Sequence, residues 1–397
     1  MSGTFSKTGL ARMHEVMARH VGERMPGLVT LVSRGGETHA DAIGKLSFED
    51  DAPMRRDAIF RIASMTKPVT AAAAMILVED GVLRLDDPVD EFLPELANRK
   101  VLRSIESDLN DTVPARRAIT LRDLLTFRLG IGAVMVWPSK YPIQKAMDEA
   151  GVAPGPVFVS VTPDEFMQRL GALPLIYQPG ERWLYHTGAD ILGVLIARAA
   201  GMSFGKFLAK RLFAPLGMTD TGFHVPDAKI DRLVTCYSAD HNTGGRAVFD
   251  AARGGRFSRP AVFEAGGAEL LSTADDYLAF CRMLLNKGRH GDTRILSRAS
   301  VELMMTDQLT AEQKIGAELF FGNDRGWGFG GAVYTRLDDL FAVPGRYGWD
   351  GGYGTSGYVD PQNDLAGVLL TQRMMDSPQP PKVFTDFWTQ AYAAMED

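Results

Sequence analysis

Cysteine is almost absent: Cys236 and Cys281 are the only two in 397 residues. Two thiols cannot build a disulfide framework or a four-cysteine zinc site, and two free thiols in a reducing compartment are the expectation. An excess of positive charge is missing as well. Lys and Arg number 43 against 49 Asp and Glu, a net charge of −6, so nothing draws the chain to nucleic acid or anionic lipid. No stretch approaches the roughly 18 consecutive apolar residues of a membrane span. The segment from Met1 to His20 lacks the apolar run of an export signal, so the expectation is a cytoplasmic protein without a membrane or nucleic-acid partner. The histidines form no H-E-x-x-H pair; His14 and His20, six apart, fit no helix-face site, and no metal or cofactor is expected. There is no internal repeat and no low-complexity tract.

What is present is an ordinary globular composition, 45% hydrophobic and 23% charged, at a length that suits two domains. Apolar spacing predicts a helix over Leu10 to Val21. Strands follow at Leu28 to Ser33 and towards Ile43, joined by the turn Arg34-Gly35-Gly36-Glu37. A short apolar run, Ala58 to Ala63, ends at Ser64. From Pro68 to Val78 the only polar residue is Thr70, which predicts a helix buried on all sides. Helix-like segments then recur at Leu121 to Phe127, Asp190 to Ala200 and Phe204 to Leu212. After about residue 265 the pattern turns Gly-rich and β-like, with runs at Tyr353 to Val359 and Leu365 to Thr371, before a last helix over Val383 to Met395. Strands at both ends and helices between them predict an α+β fold. Residues 1–63 and 265–397 would share an antiparallel sheet flanked by helices, and 64–264 would form a mainly helical domain, with the active site in the cleft between them.

Three separated segments carry chemistry. Ser64-Met65-Thr66-Lys67 puts a hydroxyl and an amine one helical turn apart. The hydroxyl needs a base, and burial would lower the lysine far enough to serve as one. The same spacing recurs at Ser203-Phe204-Gly205-Lys206, inside a G-x-S-x-G match. A helix precedes that copy where a nucleophile elbow needs a strand, so Ser203 reads as a helix cap; an α/β-hydrolase built on Ser203 is the competing reading. The second segment is Trp183-Leu184-Tyr185-His186-Thr187-Gly188. Tyr185 near a lysine can be partly phenolate and relay protons, whereas His186 reads as a loop histidine. The third is Trp349-Asp350-Gly351-Gly352, where glycines let a backbone N–H approach a ligand and hold an oxyanion.

Taken in order, these segments resemble the serine β-lactamase and penicillin-binding-protein superfamily, more narrowly class C β-lactamases and family VIII carboxylesterases. Phe60 to Pro68, Ile119 to Thr126, Phe213 to Met218 and Tyr358 to Pro361 carry the similarity, which runs from about Pro26 to Thr371. The resemblance implies a β-lactamase/transpeptidase-like fold with Ser64 as the acylated nucleophile. Lys67 and Tyr185 would share the acid and base work, and the N–H groups of Gly352 and Ser64 would form the oxyanion hole. Trp349 and Gly351 would border the substrate. Trp349 stands where β-lactamases have a cation, Asp350 adds the opposite charge beside it, and Thr187 stands where the Tyr-x-Asn pattern has an amide. These departures point away from penicillins and towards a small uncharged ester. β-Lactam or D-alanyl-peptide hydrolysis, acyl transfer and a non-catalytic binding role are the alternatives.

Overall fold

The computed structural model describes residues 5–155, 158–240 and 243–396. Met1 to Thr4, which open the segment read for an export signal, lie outside the described residues, as do 156–157 and 241–242. The centre of the fold is a seven-stranded antiparallel sheet. Its strands are β1 (Gly27–Arg34), β2 (Glu37–Gly44), β3 (Arg325–Trp327), β4 (Ala332–Tyr334), β5 (Tyr347–Gly351), β6 (Thr355–Asp360) and β7 (Leu365–Thr371). They lie in the order β3-β4-β5-β6-β7-β1-β2. The two ends of the chain therefore meet in mid-sheet, with Leu28 opposite Thr371 and Arg34 opposite Leu365.

Both faces of the sheet are covered, which explains why β1 and β7 read as nearly unbroken apolar runs. Side chains alternate along a strand. Leu28 and Val32 join Met13, Met17, Phe387 and Trp388 on one face, whereas Val29 and Leu31 join the main core on the other. The first face is packed by helices α1 (Lys7–Ala18) and α5 (Lys382–Ala393). Close approach there requires Gly367, because a Cβ would lie 2.6 Å from the Trp388 ring. The second face is packed by α4 (Ala274–Leu285), and α2 (Thr66–Glu79) and α3 (Thr187–Ala200) lie against each other beyond it.

The helix expected from Leu10 starts earlier, at Lys7, because Ser6 caps it by accepting from the Gly9 N–H. The segment Phe204 to Leu212 is not one regular helix. It is helical to Leu208, widens into a π-turn over Ala209–Phe213 and closes at Leu216. Pro215 has no N–H for an α-helical ladder, and the chain widens just before it. Beyond residue 265 the sequence reading placed only β-like runs ahead of the terminal helix; the structure adds α4 and a helix at Arg298–Met304. Hydroxyl caps start both: Thr273 Oγ1 accepts from Asp276 N–H, and Ser297 Oγ from Ser300 N–H.

Candidate active site

Ser64 is delivered by a two-residue strand, Phe60–Arg61, paired with Leu271–Ser272. Ala63 then adopts φ 45°, a left-handed conformation that a non-glycine residue rarely takes, and a 3-10 turn over Ala63–Met65 leads into α2. This bend replaces a capped start. The residue preceding α2 is Met65, and no side chain caps the helix, so the Ser64 hydroxyl is not spent on the backbone. Ser203 behaves in the opposite way: it is exposed, and its Oγ accepts from the Lys206 N–H at 3.3 Å. Two copies of one spacing thus have different fates, decided by what precedes each serine.

Lys67 is the second residue of α2, one helical turn beyond Ser64, at 1% exposure and with Nζ 2.9 Å from Ser64 Oγ. It also donates to the carbonyl of Gly267 at 2.6 Å. Burial pushes its pKa down from 10.5 to about 7, against an opposing pull from Asp190. The amine can therefore be neutral near pH 7, as the base role needs.

Tyr185 comes from the loop before α3 and joins the same cluster. Its ring lies 4.6 Å from Lys67 Nζ, and its hydroxyl interacts with Ser64. The Trp349 indole N–H donates to that hydroxyl at 2.6 Å. Phe320, Trp183 and Trp349 surround the ring at centroid distances of 4.9, 5.6 and 5.7 Å. Burial raises the Tyr185 pKa well above that of a free phenol. This corrects the expected phenolate character: the desolvation penalty outweighs what the nearby amine offers, and Tyr185 stays a neutral phenol.

Trp349 and Asp350 are adjacent on β5 and so point to opposite faces. Trp349 is buried against Trp327 and Tyr185. Asp350 accepts from Ser356 and Tyr358 hydroxyls at 2.6 and 3.3 Å, and burial raises its pKa. The expectation that Asp350 sets a charge beside the substrate is therefore corrected by strand alternation. Gly351 has no room for a side chain, since a Cβ would run into Thr355 Oγ1 and the Ile62 carbonyl. That carbonyl also accepts from Thr355 Oγ1 at 3.0 Å, so the β5–β6 turn is fastened two residues from Ser64. Gly352, next in the turn, is exposed with open space around its Cα. The Thr187 hydroxyl is buried and has no partner among the described residues.

His186 was read as a loop histidine and is part of the cluster instead. It immediately precedes α3 at φ 81°, ψ −65°. Nδ1 lies 3.3 Å from Lys67 Nζ, and Nε2 lies 3.0 Å from Asp190 Oδ2. The spacing His186-x-x-x-Asp190 across a helix start was the available signal. His14 and His20, by contrast, pair separately with Asp41 and Asp386.

A cavity of about 230 Å³ opens on the other side of Tyr185. Its wall includes Met135, Val136, Tyr141, Leu184, Ile315 and Phe320. Met135 and Tyr141 belong to the Gly- and Pro-rich stretch 130–165, whose composition already suggests a pocket wall. The segment is held against the tyrosine loop by the Ala133 N–H donating to the Tyr185 carbonyl at 3.0 Å.

Comparison with known proteins agrees with this geometry. The family model described as Beta-lactamase matches residues 13–384. Protein Rv1367c of Mycobacterium tuberculosis is 39% identical over 89% of this chain and 87% of its own length. Esterase EstB of Burkholderia gladioli is 31% identical over 91% of this chain and 90% of its own. The solved structure of EstCE1, a hydrolase with promiscuous acyltransferase activity, superposes with a TM-score of 0.79 at 26% identity, covering 97% of this chain and 99% of that one. Similarity of this extent spans both the sheet and the helices α2 and α3. The chain belongs to the β-lactamase family, in the β-lactamase/transpeptidase-like superfamily, as a hydrolase or acyltransferase akin to the family VIII esterases.

Proposed function

We propose that the protein is a serine carboxylesterase that hydrolyses small uncharged esters through an acyl-enzyme on Ser64. The observation that carries this reading is the buried Lys67 amine, 2.9 Å from Ser64 Oγ and held near neutral pKa by burial. Ser64 attacks the ester carbonyl while Lys67 takes its proton. The N–H groups of Ser64 and Gly352 receive the oxyanion. Tyr185, a neutral phenol, protonates the departing alcohol and is resupplied from the Lys67 ammonium. Water then releases the acid by the same steps in reverse. The cavity beside Tyr185 is smaller than the usual range of ligand pockets, which supports a small substrate. Trp349, turned to Tyr185, offers a substrate carboxylate no cation.

Intact-mass measurement after brief exposure to activated short-chain esters tests the proposal. Acyl mass should map to the peptide bearing Ser64 and vanish in Ser64→Ala; mass on Ser203 would overturn the assignment. Acyl transfer to an alcohol is a second reading, favoured by the acyltransferase activity of EstCE1. Product partitioning between water and added alcohol decides it: capture in large excess over the alcohol's mole fraction would make transfer the main reaction.

A further inference from the structure

We propose that His186 and Asp190 are positioning residues that aim the lone pair of Lys67 at Ser64. The inference rests on the serine-hydrolase reading above and comes from counting donors and acceptors around Nζ. A neutral lysine has two N–H groups and one lone pair. Its neighbours are the Gly267 carbonyl, which can only accept, the Ser64 hydroxyl, which can do either, and His186 Nδ1. With a proton on Nδ1, the imidazole would occupy the lysine lone pair, and Lys67 would be left donating to Ser64. That orientation cannot accept the serine proton.

Asp190 decides the matter. Its carboxylate has no proton to donate, and Oδ2 lies 3.0 Å from His186 Nε2 as an ion-pair contact, whose charge draws the imidazole proton to Nε2 and leaves Nδ1 bare. The two lysine N–H groups then go to Gly267 and His186, and the lone pair faces Ser64. The other Asp190 oxygen accepts from the Gly267 N–H at 2.9 Å, so one carboxylate holds both acceptors of the lysine. Residue 267 has to be glycine for this approach: a Cβ would press on Asp190 and lie 2.9 Å from His186 Nε2.

The arrangement serves both protonation states. As Ser64 Oγ bonds to the carbonyl carbon, the carbonyl π pair moves onto oxygen and the serine proton passes to Nζ. The new ammonium has three N–H groups: two keep the acceptors at Gly267 and His186, and the third, on the side of Ser64 and the Tyr185 hydroxyl, is the one later returned to Tyr185. No side chain needs to rotate. The Tyr185 ring packs against Nζ, and the carboxylate two residues beyond Gly267, Glu269, is paired with Arg256 at 2.5 Å.

Substitutions at His186 separate aiming from mere packing. Asparagine places its amide oxygen at the position of Nδ1, whereas glutamine reaches only the position of Nε2. The assay follows the rate of Ser64 labelling by a fluorophosphonate, and kcat and KM on p-nitrophenyl butyrate. His186→Leu and His186→Gln should lose about a hundredfold in labelling rate and kcat with KM little changed, while His186→Asn stays within about tenfold of the parent. Asp190→Asn keeps the size but lets an amide N–H face Nε2; it should lose more, as wrong-tautomer variants do. Full activity in His186→Leu, or rescue by glutamine and not asparagine, would overturn the inference while leaving the nucleophile in place. Failure of the unaltered protein to be labelled at Ser64 would overturn the hydrolase reading and this inference together.

Discussion

Replacing Lys67 by methionine should abolish ester hydrolysis and favour the folded state more at acid than at alkaline pH. The side chain lies at 1% exposure, and its pKa falls from 10.5 to about 7 on folding. Between those values the unfolded chain binds more protons than the folded one, so stability rises with pH across that window. Below pH 7 the full penalty applies. At about pH 6 the shift costs the folded state about 5 kcal/mol, and at about pH 9 about 2 kcal/mol. Methionine has a similar shape and removes this cost, but it leaves the Gly267 carbonyl and His186 Nδ1 without a donor. An abandoned buried acceptor costs about 1–3 kcal/mol. Taking about 2 kcal/mol for each, the variant should gain about 1 kcal/mol at about pH 6 and lose about 2 kcal/mol at about pH 9, a swing of about 3 kcal/mol. Urea unfolding of both proteins at the two pH values measures this directly. The pH dependence of the difference is the sharper readout, since the lost hydrogen bonds largely cancel from it. A stability difference between the two proteins that stays constant between about pH 6 and about pH 9 would refute a buried, strongly shifted amine.

Three further outcomes follow from the site. The acid limb of kcat/KM should bend near pH 7, because only neutral Lys67 accepts the serine proton; activity should fall about tenfold per unit below it, and a flat profile to about pH 5 would exclude Lys67 as the base. Trp349→Phe keeps most of the ring packing but removes the N–H that holds Tyr185, so kcat should fall about tenfold or more while the melting temperature changes little; unchanged kcat would show that the 2.6 Å bond does not position the phenol. Ser203→Ala should cost about 1 kcal/mol in urea unfolding through loss of a helix cap and leave esterase activity intact, and loss of activity without loss of stability would return Ser203 to contention.

Much of this architecture is legible where one physical rule dominates. β7 matches its sequence reading at both ends because two covered faces leave no polar residue to blur the run. Ser64 and Lys67 are found by their spacing, yet spacing alone cannot separate them from Ser203 and Lys206. The distinction lies in the left-handed bend at Ala63 and the short strand before it, which depend on partners at Leu271 and Ser272 more than 200 residues away. His186 was missed because its neighbour Tyr185 absorbed the reading, although a carboxylate four residues into a helix already marked it. Asp350 was misread for the opposite reason: strand alternation was available but not applied. The cavity wall at Met135 and Tyr141 is suggested by composition, but its place in the fold is set by long-range packing.

The meeting of β1 with β7 in mid-sheet has a consequence for how the protein comes into being. During synthesis the stretch from residue 27 to 34 can pair at once with β2, but its other edge waits for residues 365–371. Until then the β6 edge and the β1 edge both stand open, and helix α1 waits for α5. The newly made chain must therefore keep an apolar strand from straying for nearly its whole translation. Once finished, Ser6 and Ala394 are tied by a 2.8 Å hydrogen bond, so a rearranged gene that splices these two ends and opens a surface loop instead should yield the same active molecule.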